Sequence, residues 1–302
     1  MRVAVVDIGT NSTRLLIADV EDGHVVDELE RRSEVTRLGK GVDAAGALND
    51  EAMGRVFEAL GQYRELIDRH HAERAIAVLT SAVRDAANGR EFADRVENDY
   101  GLDPHILSGD DEARLTFLGA TSERAVNSPT LVIDIGGGST EMVIGSGREP
   151  TFHVSNQAGV VRQTERHIHS DPPTREEIAA LVADVRNIFE ANVPVEQRRV
   201  VREAIAVAGT ATSLAAIDQR LDPYDPEKVH GYRLSVDEAE RLLDELASVT
   251  LEERRKTPGL HPDRAPTIVA GAAILLEALR LFDLREVEVS EHDILRGAAL
   301  GL

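Results

Sequence analysis

Apolar, largely β-branched residues gather in short runs near the start of the chain and again just past position 130, and each time the run breaks on a similar polar turn. Residues 3–6 and 131–133 each read as a buried strand. Each continues into Asp-Ile-Gly and a small polar turn, then a second apolar run follows at 15–20 and at 142–144. A third short strand is expected after each, at 25–26 and 152–154. Elsewhere the period lengthens to that of a helix. Residues 49–70 carry Met53, Val56, Phe57, Leu60, Leu66 and Ile67 at helical spacing behind an Asn49-Asp50 cap. Helices are also predicted over 89–100, 110–120, 174–191, 235–248, 266–280 and 294–302, with strands at 75–79, 204–207 and 287–289. The helix at 174 opens Thr-Arg-Glu-Glu, a capping-box start.

The two strand–turn–strand segments align without a gap. Asp7 falls on Asp134, Ile8 on Ile135, Gly9 on Gly136, Ser12 on Ser139, Thr13 on Thr140 and Ile17 on Ile144, at a constant spacing of 127 residues. So many identities over so short a stretch indicate a duplication. The chain therefore predicts two α/β lobes, 1–126 and 127–302, with the last helix packing back at the lobe junction. At 302 residues it is long enough for two lobes that each bury a core.

Composition narrows the chemistry. Acids outnumber bases 54 to 34, for a net charge of −20, which disfavours duplex nucleic acid and anionic membranes as partners. A polyanionic substrate would then need local positive charge or a cation. Lysines are only Lys40, Lys228 and Lys256, so arginine supplies most of the positive charge, and arginine suits bidentate phosphate contacts. The chain has no cysteine, which excludes disulfides, thiolate catalysis and Cys-ligated zinc. Asp7 arrives too early for a secretory hydrophobic segment and no apolar run reaches about 20 residues, so a cytoplasmic location is expected.

Three small-residue loops follow strands: Gly9-Thr10-Asn11-Ser12-Thr13, Gly136-Gly137-Gly138-Ser139-Thr140 and Gly209-Thr210-Ala211-Thr212-Ser213. Glycine lets a backbone approach an anion closely, and successive N–H groups can cradle phosphate oxygens. Asp7 and Asp134 end the strands before two of these loops, and Glu141 follows the triple glycine. Such carboxylates either hold a hard divalent cation or hydrogen-bond their own turns. The acids Asp110, Asp111 and Glu112 start a helix, as caps or with one of them as a general base. Arg84 follows a strand and is either a phosphate ligand or a surface residue. Arg37, Lys40, Arg162, Arg166 and His230 are candidates for a positive track.

In order along the chain stand D-I-G-T-N-S-T-R-L-L, T-S-A-V-R-D-A, S-G-D-D-E-A-R-L-T-F-L-G-A, V-I-D-I-G-G-G-S-T-E and A-V-A-G-T-A-T-S-L-A-A. This combined pattern resembles the exopolyphosphatase/guanosine pentaphosphate phosphohydrolase (Ppx/GppA) family over essentially the whole chain. The resemblance implies two duplicated ribonuclease-H-like lobes of the acetate and sugar kinase/Hsp70/actin superfamily, with an interlobe cleft. It implies removal of a terminal phosphate from polyphosphate or from pppGpp with Mg²⁺, or Mn²⁺ in its place. By position it makes Glu112 the catalytic base and Asp134 and Glu141 the metal-associated acids. It makes Asp7, Thr10, Asn11, Ser12, Arg84, Gly136, Gly137, Gly138, Ser139, Gly209 and Thr210 phosphate-binding residues. Asp110 and Asp111 depart from the family's usual acidic run, where a glutamate precedes the base. Ending at Leu302, the sequence is similar to the short members without a C-terminal HD-like domain, which favours shorter polyphosphates. A homodimer is expected on the same ground. Competing expectations are pppGpp hydrolysis by the same chemistry, a catalytically silent nucleotide- or polyphosphate-binding module, and a sugar-kinase-like phosphotransferase, which the Glu112 motif disfavours.

Overall fold

The computed structural model describes residues 1–124, 127–147 and 149–301, the side chains of Asp43 and Ala44 aside. It separates into two compact units. The first is Met1–Ser122 together with the segment from Asp293 onward, and the second is Glu123–His292.

In the first unit, β1 (Arg2–Ile8), β2 (Thr13–Glu21), β3 (His24–Glu34), β4 (Arg74–Leu79) and β5 (Asp103–Ile106) form a sheet in the order β3-β2-β1-β4-β5. The first three strands are an antiparallel meander, and β4 and β5 add in parallel. Asp22 and Gly23 turn between β2 and β3 with φ of 50° and 75°, the paired positive φ of a type I′ hairpin. β3 runs 11 residues, well beyond the short strand expected at 25–26. Its Asp27-Glu28-Leu29-Glu30-Arg31-Arg32 stretch has no apolar alternation because β3 lies at the sheet edge, where charge discourages further pairing.

Alternation along β1 sends its residues to two faces. Ala4, Val6 and Ile8 pack with Val56, Leu60, Phe92 and Val96 of helices Asp50–His70 and Gly89–Tyr100. Val3 and Val5 pack with Leu115, Ile294, Leu295 and Ala298 of helices Gly109–Thr121 and Ile294–Gly301. These last two helices meet backbone to backbone. A Cβ on Gly119 would lie 1.8 Å from the Asp293 carbonyl oxygen, and one on Gly297 would lie 1.8 Å from that of Leu115. The division thus differs from the expected 1–126 and 127–302. The terminal helix belongs to the first unit because its apolar side chains complete that core, and the expected boundary adjoins residues 125 and 126, outside the described residues.

The second unit contains β6 (Thr130–Ile135), β7 (Thr140–Ser146), β8 (Glu149–Asn156), β9 (Glu203–Val207), β10 (Arg233–Ser235) and β11 (Glu286–Val289), ordered β10-β11-β9-β6-β7-β8. β6, β7 and β8 form the meander, and β9 and β11 add in parallel. With edge strand β10 set aside, this repeats the first sheet in order and direction. The spacing of 127 residues is therefore a structural duplication, and both units are mixed-sheet α/β lobes of ribonuclease-H-like topology. Helix Ile268–Leu281 is buried along nearly its whole length, as its apolar run predicts. Helix Arg175–Asn192 opens with the predicted capping box, Thr174 accepting from the Glu177 amide and Glu177 accepting from the Thr174 amide. No helix among the described residues is long and apolar enough to cross a membrane.

Candidate active site

The duplicated turns close alike. The Gly9 amide donates to the Ser12 carbonyl at 3.0 Å, and the Gly136 amide to the Ser139 carbonyl at 2.9 Å. In the first unit a strap holds the loop from behind. The Arg37 and Gly39 amides donate to the Asn11 and Thr10 carbonyls at 2.9 and 2.8 Å, which brings the backbone beside Lys40 to the first loop. Thr10 Oγ1 shares a 2.9 Å hydrogen bond with Ser81 Oγ. Ser81 begins the single-turn helix Ser81–Arg84 that follows β4.

Arg84 ends that turn. Its Nη1 donates to the Leu107 carbonyl at 3.1 Å and to Glu112 Oε2 at 3.0 Å. Arg84 is therefore tied to the acidic helix start and not spread on the surface. The acids there divide their roles. The Asp111 amide donates to Ser108 Oγ at 3.1 Å, and Ser108 Oγ donates back to the Asp111 carboxylate at 2.7 Å, so Asp111 serves the cap. Glu112 turns to Arg84 instead, with 14% of its side chain exposed. Burial pushes the Glu112 carboxyl above the usual glutamate range. Arg84 opposes that shift, while the carboxylates of Asp7 and Asp85 add to it.

Asp7, expected among the phosphate-binding residues, lies in an ion pair at the end of β1. It is buried, and its Oδ2 accepts from Arg14 Nε at 2.9 Å and Arg14 Nη2 at 2.6 Å. Arg14 Nη1 also donates to Asp293. Asp7 Oδ1 has no hydrogen-bond partner among the described residues. Burial raises the Asp7 carboxyl and Arg14 pulls it down. Asp7 thus sits within an ion-pair cluster below the first loop, and its field reaches Glu112.

In the second unit the register is the same and the charge is inverted. Asp7 pairs across the ladder with Arg14, whereas Asp134 pairs with Glu141. Directly opposed Cβ atoms lie about 5 Å apart on one face, so two carboxylates stand side by side. Glu141 Oε1 accepts from Ser139 Oγ at 2.5 Å and Ser155 Oγ at 2.9 Å. The Gly136 and Gly137 carbonyls accept from the Val160 and Val161 amides, both at 2.9 Å, at the head of helix Val160–His167. Asp134 and Glu141 offer carboxylate oxygens, the kind of ligand that hard divalent cations take.

The third loop starts helix Ala208–Asp218, with Ala208 at a φ of 62°, a costly conformation for a residue with a Cβ. Thr210 Oγ1 donates a long 3.4 Å bond to the Ile135 carbonyl, tying this loop to the end of β6. The Arg264 guanidinium lies against Gly209 so closely that a Cβ there would sit 1.7 Å from Nη1. Arg264 therefore supplies a cation to this loop that sequence reasoning missed. Arg14 and Ser81 were missed as well. The spacing of 127 residues offered a signal for Arg14, since it aligns Arg14 with Glu141. The positive-track candidates scatter: Arg166 pairs with Asp184 at 2.8 Å, Arg162 donates to Gln157, and His230 Nδ1 accepts from the Glu291 amide at 3.3 Å.

Comparison with known proteins agrees with this architecture. Residues 16–300 match the Ppx/GppA phosphatase family. The chain is 39% identical over 316 residues to exopolyphosphatase 2 of Mycobacterium tuberculosis, covering 100% of this chain and 98% of that protein. Among solved structures, it is similar to the Ppx/GppA enzyme of Aquifex aeolicus, at 33% identity and a TM-score of 0.84 over 100% of this chain and 99% of that one. It is also similar to an exopolyphosphatase from Cytophaga hutchinsonii, at 29% identity and a TM-score of 0.87 over 99% and 96%. On its sequence and its duplicated fold alike, the chain belongs to the Ppx/GppA phosphatase family.

Proposed function

We propose that this protein is an exopolyphosphatase that releases terminal orthophosphate from inorganic polyphosphate, with shorter chains preferred. Relatives that carry that name support the substrate class. The observation that carries the chemistry is the Arg84–Glu112 pair. Arg84 engages one carboxylate oxygen of Glu112, which fixes the side chain and leaves Oε1 to accept a proton. A carboxyl raised by burial is a better base near neutral pH than an ordinary glutamate.

In this reading Glu112 takes a proton from water as the water oxygen attacks the terminal phosphorus. The bond from phosphorus to the bridging oxygen breaks, and the shortened polyphosphate leaves with that oxygen. In the first unit Thr10, Asn11 and Ser12 offer hydrogen bonds to phosphate oxygens, and in the second unit Gly136, Gly137, Gly138, Ser139, Gly209 and Thr210 offer them likewise. Arg84 neutralises charge on the transferred group, and Arg264 adds a second cation at the third loop. Asp134 and Glu141 would hold Mg²⁺ or Mn²⁺, which would supply charge neutralisation on phosphate oxygens. Asp7 positions Arg14 and sets the field at Glu112 without touching phosphate. A cytoplasmic homodimer is part of the same proposal.

Phosphate release from purified protein, with matched polyphosphates of short and long chain and with pppGpp, tests the assignment. Release mainly from short polyphosphate supports it. Release mainly from pppGpp would move the protein to the alarmone substrate, and release from neither would leave a binding module.

A further inference from the structure

Apart from the residues proposed to bind phosphate, Glu123, His230 and His292 of the second unit each bring one ligand-type atom to a common point, all within 4.8 Å of one another. The two imidazole rings lie 4.2 Å apart between centroids. His292 Nδ1 is 3.6 Å from Glu123 Oε2. Glu291, the other acid nearby, is turned to the Tyr224 hydroxyl. Three distant parts of the sequence therefore meet here: the residue that opens the second unit, the residue that closes it, and the loop after helix Pro226–Val229.

We propose that Glu123, His230 and His292 form a binding site for a borderline transition cation such as Zn²⁺. Two imidazole nitrogens and one carboxylate oxygen match the ligands that zinc takes, with a fourth position left to water. Mg²⁺ prefers all-oxygen sets and does not compete for imidazole, so this site is distinct in chemistry from the Asp134–Glu141 pair. Zinc bonds of about 2.0–2.2 Å put tetrahedral ligand atoms roughly 3.3 Å apart. The three ligand atoms, now within 4.8 Å of one another, draw together to that spacing when an ion binds.

The surroundings of His230 accommodate binding through either nitrogen. Its Nδ1 accepts from the Glu291 amide at 3.3 Å, and Ser290 Oγ stands at 3.5 Å. Ligation through Nδ1 displaces that long bond. Ligation through Nε2 moves the ring proton to Nδ1, where Ser290 Oγ accepts it and the long bond from the Glu291 amide is given up. Ser290 Oγ already accepts from the His292 amide at 3.0 Å, so one serine orients both histidine segments, the second-shell arrangement that metal-bound imidazoles use. The chain passes between units at Ser122–Glu123 and again at His292–Asp293. A bound ion would tie both passages to one point.

The test is titration of the chelator-stripped full chain with Zn²⁺ in excess Mg²⁺, by calorimetry, and with Co²⁺ as a visible-absorption probe. One equivalent should bind. Affinity should fall by about tenfold or more in His230→Ala, in His292→Ala and in Glu123→Gln, and stay unchanged in the control His169→Ala. Glu123 is exposed, so loss of binding in Glu123→Gln with an unchanged melting curve separates a lost ligand from a lost fold. Absence of binding, or equal affinity in wild type and the three variants, would overturn the proposal. Neither result depends on the phosphatase reading.

Discussion

Asp134 faces Glu141 across the β6–β7 ladder in the register that sets Asp7 opposite Arg14 in β1 and β2. The duplication kept the backbone and reversed one charge. In the first unit Asp7 is buried and ion-paired with Arg14, which also serves Asp293. In the second, two carboxylates face each other, and like charges directly opposed destabilise a sheet unless something compensates. Asp134 and Glu141 are the residues proposed to hold a cation.

Glu141→Arg should therefore convert the second pair into a copy of the first. The variant is expected to fold with a melting temperature at or above that of wild type. Its Mg²⁺-dependent phosphate release should drop by at least about a hundredfold, the scale of losing a positioned electrostatic partner. Thermal melts and phosphate assays at several Mg²⁺ concentrations read both. A variant that keeps the wild-type Mg²⁺ dependence would remove Glu141 from cation binding.

Glu112 carries a stability cost that can be read by pH. Its folded carboxyl is raised above the unfolded value, first by burial. A group raised on folding favours the folded state fully below the unfolded pKa, and that advantage is lost as pH rises through the folded pKa. At pH 8 the wild type should therefore melt below Glu112→Gln, and the gap should narrow as pH falls into the carboxylate range. Melting curves from pH 4 to pH 8 measure it; a gap that widens toward low pH would contradict the burial argument.

Arg84 lowers the Glu112 carboxyl that burial raises. Replacing it in Arg84→Ala should move the acid limb of the pH–rate profile upward, in addition to lowering the rate. Asp7→Asn should move the same limb downward, because the Asp7 carboxylate contributes to the rise. Full pH profiles of kcat/KM for both variants distinguish these opposite shifts. Movement of both limbs in one direction would count against Glu112 as the titrating base.

The glycines at the helix crossing make a packing prediction. A methyl group at Gly119 or Gly297 would meet backbone carbonyls at 1.8 Å. Gly297→Ala should cost about 1–3 kcal/mol of stability, as overpacking does. Gly119→Ala should also depress activity, since Gly119 and Glu112 share helix Gly109–Thr121. Urea denaturation gives the first quantity and steady-state rates the second. Wild-type stability in both variants would mean that the helices separate freely.

What the sequence made legible was whatever has a period or a repeat. The duplicated turns were visible because Asp7 to Ile17 and Asp134 to Ile144 align without a gap, and the helix over 49–70 was visible from its apolar stripe and its Asn49 cap. β3 was hard to see because pairing with β2, not burial, holds its charged residues. β5 (Asp103–Ile106) was missed because four residues including a proline carry no alternation. The last helix was expected to pack back at the lobe junction, but the core it completes was hidden because Ile294, Leu295 and Ala298 fit any apolar face. Only the tertiary packing shows that they complete the first core. Among candidate site residues, Glu112 and Arg84 meet as a pair. Asp7 resembled Asp134 in sequence and differs in environment, because its partner seven residues on is Arg14. Arg264 lies on a loop far along the chain from Gly209, and only the fold brings them together.

In the proposed reaction Glu112, held by Arg84, is the base in phosphate release. The most direct test compares wild type and Glu112→Gln for phosphate release from short polyphosphate with Mg²⁺, and for equilibrium binding of the same polyphosphate. A loss of release by about 10²–10⁴-fold with binding essentially retained is the predicted result. Release by the variant within a few-fold of wild type would contradict it.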